Sequence, residues 1–254
     1  MLDPRDTVEE TTPSEHPICT RLEWDSHFFG CQIARLNCSR LDQGTVERAL
    51  QWCHDKKIDC LYFLADSDDA RTVRLCEESH FLQTDVRMTF ERSLSGVSVA
   101  DAAGVRPARE SDLVVLRNIA AEGHRDSRFY FDGHFDRAKC DLFYETWIEN
   151  SFHGFAQAVF VAESGGQPAG YVTCNLRGQE SQLGLIGVAD DHHGEGLGTK
   201  LVQAFLSWSV RQGARRATVV TQGRNVRAQR LYQRNGFVTC SFQLWYHRWF
   251  PLGE

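Results

Sequence analysis

The sequence predicts an α/β (α+β) protein in which helices flank a mixed, mostly antiparallel, twisted sheet and a smaller domain of related design comes first. Three observations predict it. Strand-like and helix-like runs alternate from residue 19 to residue 92. Three further strand-like runs, FAQAVFVAES, YVTCNLR and QLGLIGV, are separated by GGQPAG and GQES, which is hairpin chemistry and makes an antiparallel meander. The chain also resembles itself at a shift of 156 residues. That shift lays Val46–Arg92 on Val202–Arg248 without a gap, with eight identical pairs, among them Trp52/Trp208, Arg74/Arg230, Leu75/Leu231, Phe81/Phe237 and Arg92/Arg248.

Taken in order, residues 1–18 are acidic, contain proline and lack an apolar run, so they are expected to be disordered and to be neither a secretory signal nor a membrane span. LEWDSHFFGCQIARL reads as a strand, TVERALQWCHDK as a helix, CLYFLA as a strand, ARTVRLCEESHF as a helix and LQTDVRMTFER as a strand. These make a first domain, 19–92. The small, polar SLSGVSVADAAG forms a linker at 93–104, and 105–254 is the second domain. There Ser111 or Asp112 caps a helix whose stripe is Leu113, Leu116 and Ile119. HRDSRFYFDGHF interrupts helical periodicity, DRAKCDLFYETWIENSFHG resumes it, and the meander follows. A helix then runs to about Arg211 with Leu201, Val202, Phe205 and Trp208 on its core face, ended by Gly213. ATVVTQ is a strand, NVRAQRLYQRN a helix and VTCSFQLWYHRWF a last strand.

Composition narrows the function. A formal net charge of −6 argues against a nucleic-acid partner, whose electrostatic footprint would be basic. The nine cysteines show no C-x-x-C pair and no zinc-like spacing, so they read as reduced thiols of a cytoplasmic protein with no membrane partner. DHH at 191–193 shares its letters with the metal-binding triplet of the DHH phosphoesterases. The other motifs of that metal site are not evident, so no metal is expected.

HGEGLGTKL leaves a strand and opens a helix, so backbone N–H groups and the positive helix end converge on the turn and suit an anion such as a pyrophosphate. It is not a P-loop, because only three residues separate Gly194 from Gly198 and the order is Gly198-Thr199-Lys200. It also follows an antiparallel meander rather than the first strand of a parallel unit. The first copy has nothing of the kind: Cys38, Arg40 and Asp42 face Gly194, Gly196 and Gly198, and Cys76 faces Tyr232.

GVADDHHGEGLGTKL followed by NVRAQRLYQRNGF resembles the GCN5-related N-acetyltransferase (GNAT) superfamily. The shared features are a hydrophobic strand, an (R/Q)-x-x-G-x-(G/A) turn and N-x-x-A-x-x-x-Y-x-x-x-G-F. The likeness covers about residues 104 to 249, with His193 where Arg or Gln is usual and Asp190 where Pro is common. It implies a GNAT fold preceded by a degenerate GNAT-like domain, and acetyl-CoA as co-substrate. Ile186, Gly187 and Val188 would lie along its pantetheine arm. His193, Gly194, Glu195, Gly196, Leu197, Gly198 and Thr199 would surround its pyrophosphate, with Asn225 and Leu231 completing the site. It further implies that the Val188 N–H stabilises the charge on the thioester oxygen as an amine attacks directly in a ternary complex, and that Tyr232 serves the leaving thiolate. Glu145, Glu149, His124 and His134 are candidate bases.

LEWDSHFFGCQIARL, SRFYFD with FYETWIENSFHG, and TQGRNVRAQRLYQRNGF are similar to the dTDP-fucosamine (dTDP-4-amino-4,6-dideoxy-D-galactose) N-acetyltransferases of enterobacterial common antigen synthesis, although ADDHHGEGLG is a longer approach to the glycine loop. That likeness implies a nucleotide-linked amino sugar of polysaccharide biosynthesis as the small-molecule acceptor. Arg128 would meet a phosphate, and Phe129 and Tyr130 a base or sugar face. A protein N-terminus, a lysine or a polyamine is the alternative acceptor, and acetyl-CoA sensing without turnover the alternative function. The oligomeric state is left open, a homodimer among the options.

Overall fold

A computed structural model describes residues 17–98 and 102–250. The rest of the expected disordered segment and three residues of the expected linker lie outside the described residues. Pro17 and Ile18 are described, and their carbonyls accept hydrogen bonds from Asn37. The elements are β1 (Cys19–Arg21), α1 (Glu23–Phe29), β2 (Ile33–Leu36), α2 (Gln43–Lys56), β3 (Cys60–Asp66), α3 (Ala70–Glu78), β4 (Leu82–Ser93), β5 (Val105–Pro107), α4 (Leu113–Gly123), α5 (Arg128–Asp132), α6 (Arg137–Asn150), β6 (Ala158–Ser164), β7 (Gln167–Arg177), β8 (Glu180–Val188), α7 (Leu197–Arg211), β9 (Arg216–Gln222), α8 (Val226–Arg234) and β10 (Val238–Trp249).

The chain forms two compact units that do not follow chain order. Among the described residues, one contains 88–98, 102–126 and 140–241, and the other 17–87, 127–139 and 242–250. We call them the larger unit and the companion unit. In the larger unit the strand order is β4-β9-β8-β7-β6-β5, with β5 through β8 antiparallel and β8 parallel to β9. In the companion unit it is β1-β2-β3-β10, with only β2/β3 parallel. The sheet is therefore mixed and mostly antiparallel, and the three hairpin-linked runs are the meander β6-β7-β8.

Two segments differ from the sequence reading. WDSHFF is helical rather than extended: Trp24 and Phe28 stack at 5.0 Å one turn apart, Glu23 and Asp25 lie in the first turn, and Gly30 ends the helix at φ +74°. RFYFD, read as an interruption, is a short helix stopped by Gly133 at φ +82°. The helix after Asp112 buries Leu113, Leu116 and Ile119 as expected, but Asp112 precedes it in a 3-10 turn, its carboxylate ion-paired with Arg106 at 2.7 Å. In α7 Leu201, Val202, Phe205 and Trp208 face the core.

Four successive elements recur after 156 residues. β3, α3 and β4 carry the same bounds as β9, α8 and β10 once shifted, and α2 falls on α7 within two residues. In the larger unit β4 lies beside β9, and just past it the Leu94 N–H donates to the Arg215 carbonyl at 3.0 Å; in the companion unit β10 pairs with β3 from Gln243↔Asp66 to Trp249↔Cys60.

Candidate active site

The glycine loop sits between β8 and α7. Gly194 and Gly196 adopt φ +91° and +77°, a left-handed backbone that glycine enters without a Cβ penalty. Gly196 is the N-cap of α7 and offers no side-chain acceptor. The N–H groups of Gly194 through Thr199 find no side-chain or loop-carbonyl acceptor among the described residues. Leu197 is buried in the core below them. At Gly198 the constraint is close approach: a Cβ would stand 3.2 Å from the Leu231 side chain, which packs there from α8.

β8 brings its own opening. Its parallel pairing with β9 ends at Leu183↔Val219, although β8 continues to Val188 and β9 to Gln222. The cause lies on the other edge, where Gly184 and Leu185 together oppose Thr173 of β7 and the register shifts. Such a bulge bends the strand that carries the extra residue. Thr173 Oγ accepts the displaced Leu185 N–H at 2.7 Å, and a Cβ on Gly184 would come within 2.6 Å of that same oxygen. Beyond the bulge the Ala189 N–H donates to the Ala169 carbonyl at 2.9 Å, which makes Gly187 the next residue bonded to β7. By alternation, the N–H and C=O groups of Ile186 and Val188 point to the edge that β9 has left. Gly187 itself admits the Tyr171 ring, which a Cβ would meet at 2.8 Å.

Helix α8 supplies Asn225 and Tyr232. Asn225 is the N-cap, its side-chain oxygen accepting from the Ala228 N–H at 3.0 Å, and its amide NH2 has no partner among the described residues. Tyr232 is 2% exposed, its ring 5.9 Å from that of Phe90 and 6.1 Å from that of Phe237. Its hydroxyl makes no hydrogen bond to any described residue. Burial pushes the phenol above its ordinary range, so it stays protonated and can only donate or share its proton.

The polar side chains of the loop are engaged with one another. The His193 imidazole lies 2.8 Å from an Arg227 guanidinium nitrogen and 3.4 Å from the Asp190 carboxylate. Glu195 takes hydrogen bonds from His192 at 2.9 Å and from Ser164 at 2.7 Å, which hold its carboxyl below and the His192 imidazole above their usual ranges. Among the described residues no group of three or more His, Cys, Asp or Glu is placed to hold a metal ion.

The candidate bases are spoken for. Arg117 pairs with Glu145 at 3.0 Å and Glu149 at 3.6 Å. His124 is buried, stacked on Tyr144 and 3.0 Å from the Tyr171 hydroxyl, and burial lowers its pKa to about 4. His134 belongs to the companion unit, as do Arg128, Phe129 and Tyr130. There Phe129 is 3% exposed and packs against Phe29 and Phe135, Tyr130 is half-buried, and Arg128 is buried among aromatic rings. Sequence reasoning missed the β8 bulge and Arg227. Glycine at both Gly184 and Gly187 inside a strand was the available signal for the bulge.

Residues 120–237 match the acetyltransferase (GNAT) family. That stretch is a GNAT-family domain. The chain is 29% identical over 143 residues to the spore coat polysaccharide biosynthesis protein SpsD of Bacillus subtilis (strain 168), a match covering 56% of this chain and 50% of that protein. The match thus spans half the length of this curated relative. Among solved structures, a GCN5-related N-acetyltransferase from Sphaerobacter thermophilus superposes with a TM-score of 0.64 at 12% identity, over 91% of this chain and 76% of that one. A protein of unknown function from Staphylococcus epidermidis ATCC 12228 does so with a TM-score of 0.67 at 14% identity, over 99% and 98%. The glycine loop, the open edge of β8 and Tyr232 all lie within the matched residues. Enzymes of this family take acetyl-CoA as donor. No helix among the described residues is long and apolar enough to cross a membrane.

Proposed function

We propose that this chain transfers acetyl from acetyl-CoA to the amino group of a small-molecule acceptor, a nucleotide-linked amino sugar of the 4-amino-4,6-dideoxyhexose type. The observation that carries the reading is the uncapped N-terminus of α7 next to a strand edge left open by β9. The fit to acetyl-CoA rests on donors without acceptors. The N–H groups of Gly194 through Thr199 suit a pyrophosphate, the outward N–H and C=O groups of Ile186 and Val188 suit the amides of a pantetheine arm, and the Asn225 NH2 is available to that arm. When bound, acetyl-CoA supplies an activated acyl group with a thiolate leaving group.

Each residue then has a defined task. The Val188 N–H donates toward negative charge developing on a carbonyl oxygen, and being fixed in a strand it needs no reorganisation. Tyr232 holds its proton through neutral pH because it is buried, and with no competing acceptor its hydroxyl is available to a thiolate. The carboxylate of Glu195, unfavourable beside a pyrophosphate, has two donors of its own. The candidate bases Glu145, Glu149 and His124 are each engaged by partners of their own, which fits an amine that loses its proton to water. A sugar acceptor is supported by the polysaccharide biosynthesis protein SpsD.

The test is thiol release from acetyl-CoA across dTDP-, UDP- and GDP-linked amino sugars, polyamines and peptides. The expected result is release with nucleotide-linked amino sugars only. Activity confined to peptides or polyamines overturns the acceptor assignment, and binding of acetyl-CoA without release for any amine overturns the transfer.

A further inference from the structure

The sheet of the larger unit carries a transverse row of polar side chains at the foot of the opening between β8 and β9. Asn175 of β7 stands opposite Gln182 of β8, and Gln182 stands beside Thr218 of β9, so three neighbouring strands set these residues side by side. Residues paired in register share a face of the sheet. The adjacent row, Cys174, Leu183 and Val219, belongs to the apolar core that α7 covers, so by alternation the polar row lies on the opposite face. Leu183↔Val219 is also the last pair before β9 leaves β8. The polar row therefore closes the opening one residue, about 3.3 Å, before the strands part.

Each member has hydrogen-bonding capacity to spare. Asn175 is 7% exposed, yet its side-chain amide has no partner among the described residues. Its polar atoms are not sealed from solvent, so a ligand can reach them. The amide leans toward the bulge, where a Cβ on Gly184 would stand 3.0 Å from its nitrogen. Gln182 is half-buried and likewise has no partner among the described residues. The Thr218 hydroxyl donates to Glu180 at 3.2 Å and keeps its lone pairs, while Glu180 is paired with Arg216 at 3.0 Å. The row thus offers donors and acceptors without an uncompensated charge. Two primary amides side by side match vicinal hydroxyls, each of which gives one hydrogen bond and accepts another. An alkylammonium chain has donors only and would leave the amide NH2 groups unmatched.

We propose that Asn175 and Gln182 recognise vicinal ring hydroxyls of the acceptor and so select an amino sugar over a simple amine. The inference rests on the acetyl-transfer reading above, which lays the pantetheine arm from the glycine loop along Val188 and Ile186 and directs its acyl end toward this row. An acceptor held there by its hydroxyls meets the acyl group where the opening closes. A missing hydroxyl would leave the Asn175 amide, nine-tenths covered by its neighbours, short of the partner for which it was desolvated. Selection therefore comes from the cost of an unmatched amide as well as from the bonds made.

The experiment compares, for the full chain, kcat/KM of thiol release with a dTDP-linked 4-amino-4,6-dideoxyhexose and with analogues lacking one ring hydroxyl. The unaltered protein should lose on the order of 10- to 100-fold with a deoxy analogue. Asn175→Leu and Gln182→Leu should each raise the acceptor KM on the order of tenfold, hold the KM for acetyl-CoA, and bring parent and analogue to within about twofold of each other. A packing role would not erase a difference that belongs to one hydroxyl of the ligand. Gln182 is half-buried, so its variant keeps the test open should Asn175→Leu not fold. A deoxy penalty unaltered in the variants overturns the proposal and leaves transfer to amino sugars standing. Release confined to peptides or polyamines overturns the acceptor assignment and this inference with it. If acetyl-CoA binds and no amine gives release, the same comparison is read as acceptor affinity by calorimetry with desulfo-CoA bound. Hydroxyl-dependent affinity erased by the variants then upholds the row as a sugar site although transfer has failed, and affinity indifferent to them overturns it.

Discussion

The two copies separated by 156 residues keep one backbone and differ in how they end it. At the start of α2 the Asp42 side chain accepts the Thr45 N–H at 2.7 Å, so a built-in carboxylate fills the place of an anion. Facing Asp42 is Gly198, inside the uncapped first turn of α7. At the second helix, Asp69 and Asn225 both cap, and then Cys76 stands where the other copy has Tyr232. The difference teaches that the fold needs the helix ends satisfied, by protein or by ligand. The first copy caps both helices with its own side chains, and the second caps α8 but leaves the start of α7 without a side-chain cap.

The largest expected effect breaks this comparison at Tyr232. Tyr232→Phe removes a hydroxyl that bonds to no described residue and keeps the ring between Phe90 and Phe237. We expect kcat to fall on the order of 10²- to 10⁴-fold with thermal stability little changed. Acetyl-CoA affinity, measured by calorimetry, should stay the same. A variant with full turnover would return Tyr232 to the role of Cys76, a packing residue.

Next in size is Gly198→Asp, which writes the first copy's residue into the second. The new carboxylate would stand in the first turn of α7, two residues inside the N-cap Gly196, and its Cβ would push on Leu231. Acetyl-CoA affinity should drop on the order of 100-fold, because a fixed negative charge replaces the donors offered to a phosphate. Circular dichroism should show the helix retained. Undiminished coenzyme affinity would mean that this helix end is not where the pyrophosphate sits.

Much of this contrast was legible in the sequence, and its limits have physical causes. GEGLG, Asn225 and Tyr232 are local motifs, and hairpin separators announced the meander. The helix at Glu23–Phe29 was misread because its aromatic residues suit a strand and its helical signals, an i,i+4 aromatic pair and a stop at Gly30, occupy only two turns. The opening of β8 was not legible because it depends on where pairing with β9 stops, a long-range property set by the bulge opposite Thr173. Nor could spacing reveal that residues 127–139 pack with the first copy, placing Arg128 beside Tyr62 and His247.

Each unit also buries a neutral histidine, and these should respond alike to acid. Burial lowers both His124 and His247 to about 4, against an unfolded value near 6.5. The unfolded chain therefore binds more protons in between, so stability is full above about pH 6.5 and is lost as pH falls toward 4, by up to about 3 kcal/mol for each histidine. Denaturant titrations across that window should show the slope, and His124→Gln or His247→Gln should each flatten it. A slope unaltered in both variants would place the acid sensitivity elsewhere.

The smallest effects concern two turns where the copies share a conformation but not a residue. Among the described residues only Lys57 and His80 adopt positive φ without being glycine, at 53° and 58°. The residues facing them 156 positions on are Gly213 and Gly236, at 78° and 75°. The first copy thus retains left-handed turns after losing the glycines that make them easy. Both side chains are exposed, so removing them forfeits little packing. Lys57→Gly and His80→Gly should each stabilise by about 1 kcal/mol, raising Tm by roughly 2–4 °C. The reverse change, Gly236→His, should destabilise by more than that gain, because a Cβ there also presses on the Arg92 guanidinium at 3.2 Å, whose fork holds the Asn235 carbonyl. Equal and opposite effects at His80 and Gly236 would mean that the turns are interchangeable. A larger loss at Gly236 would show that the second copy has built its Arg92 contact around the glycine.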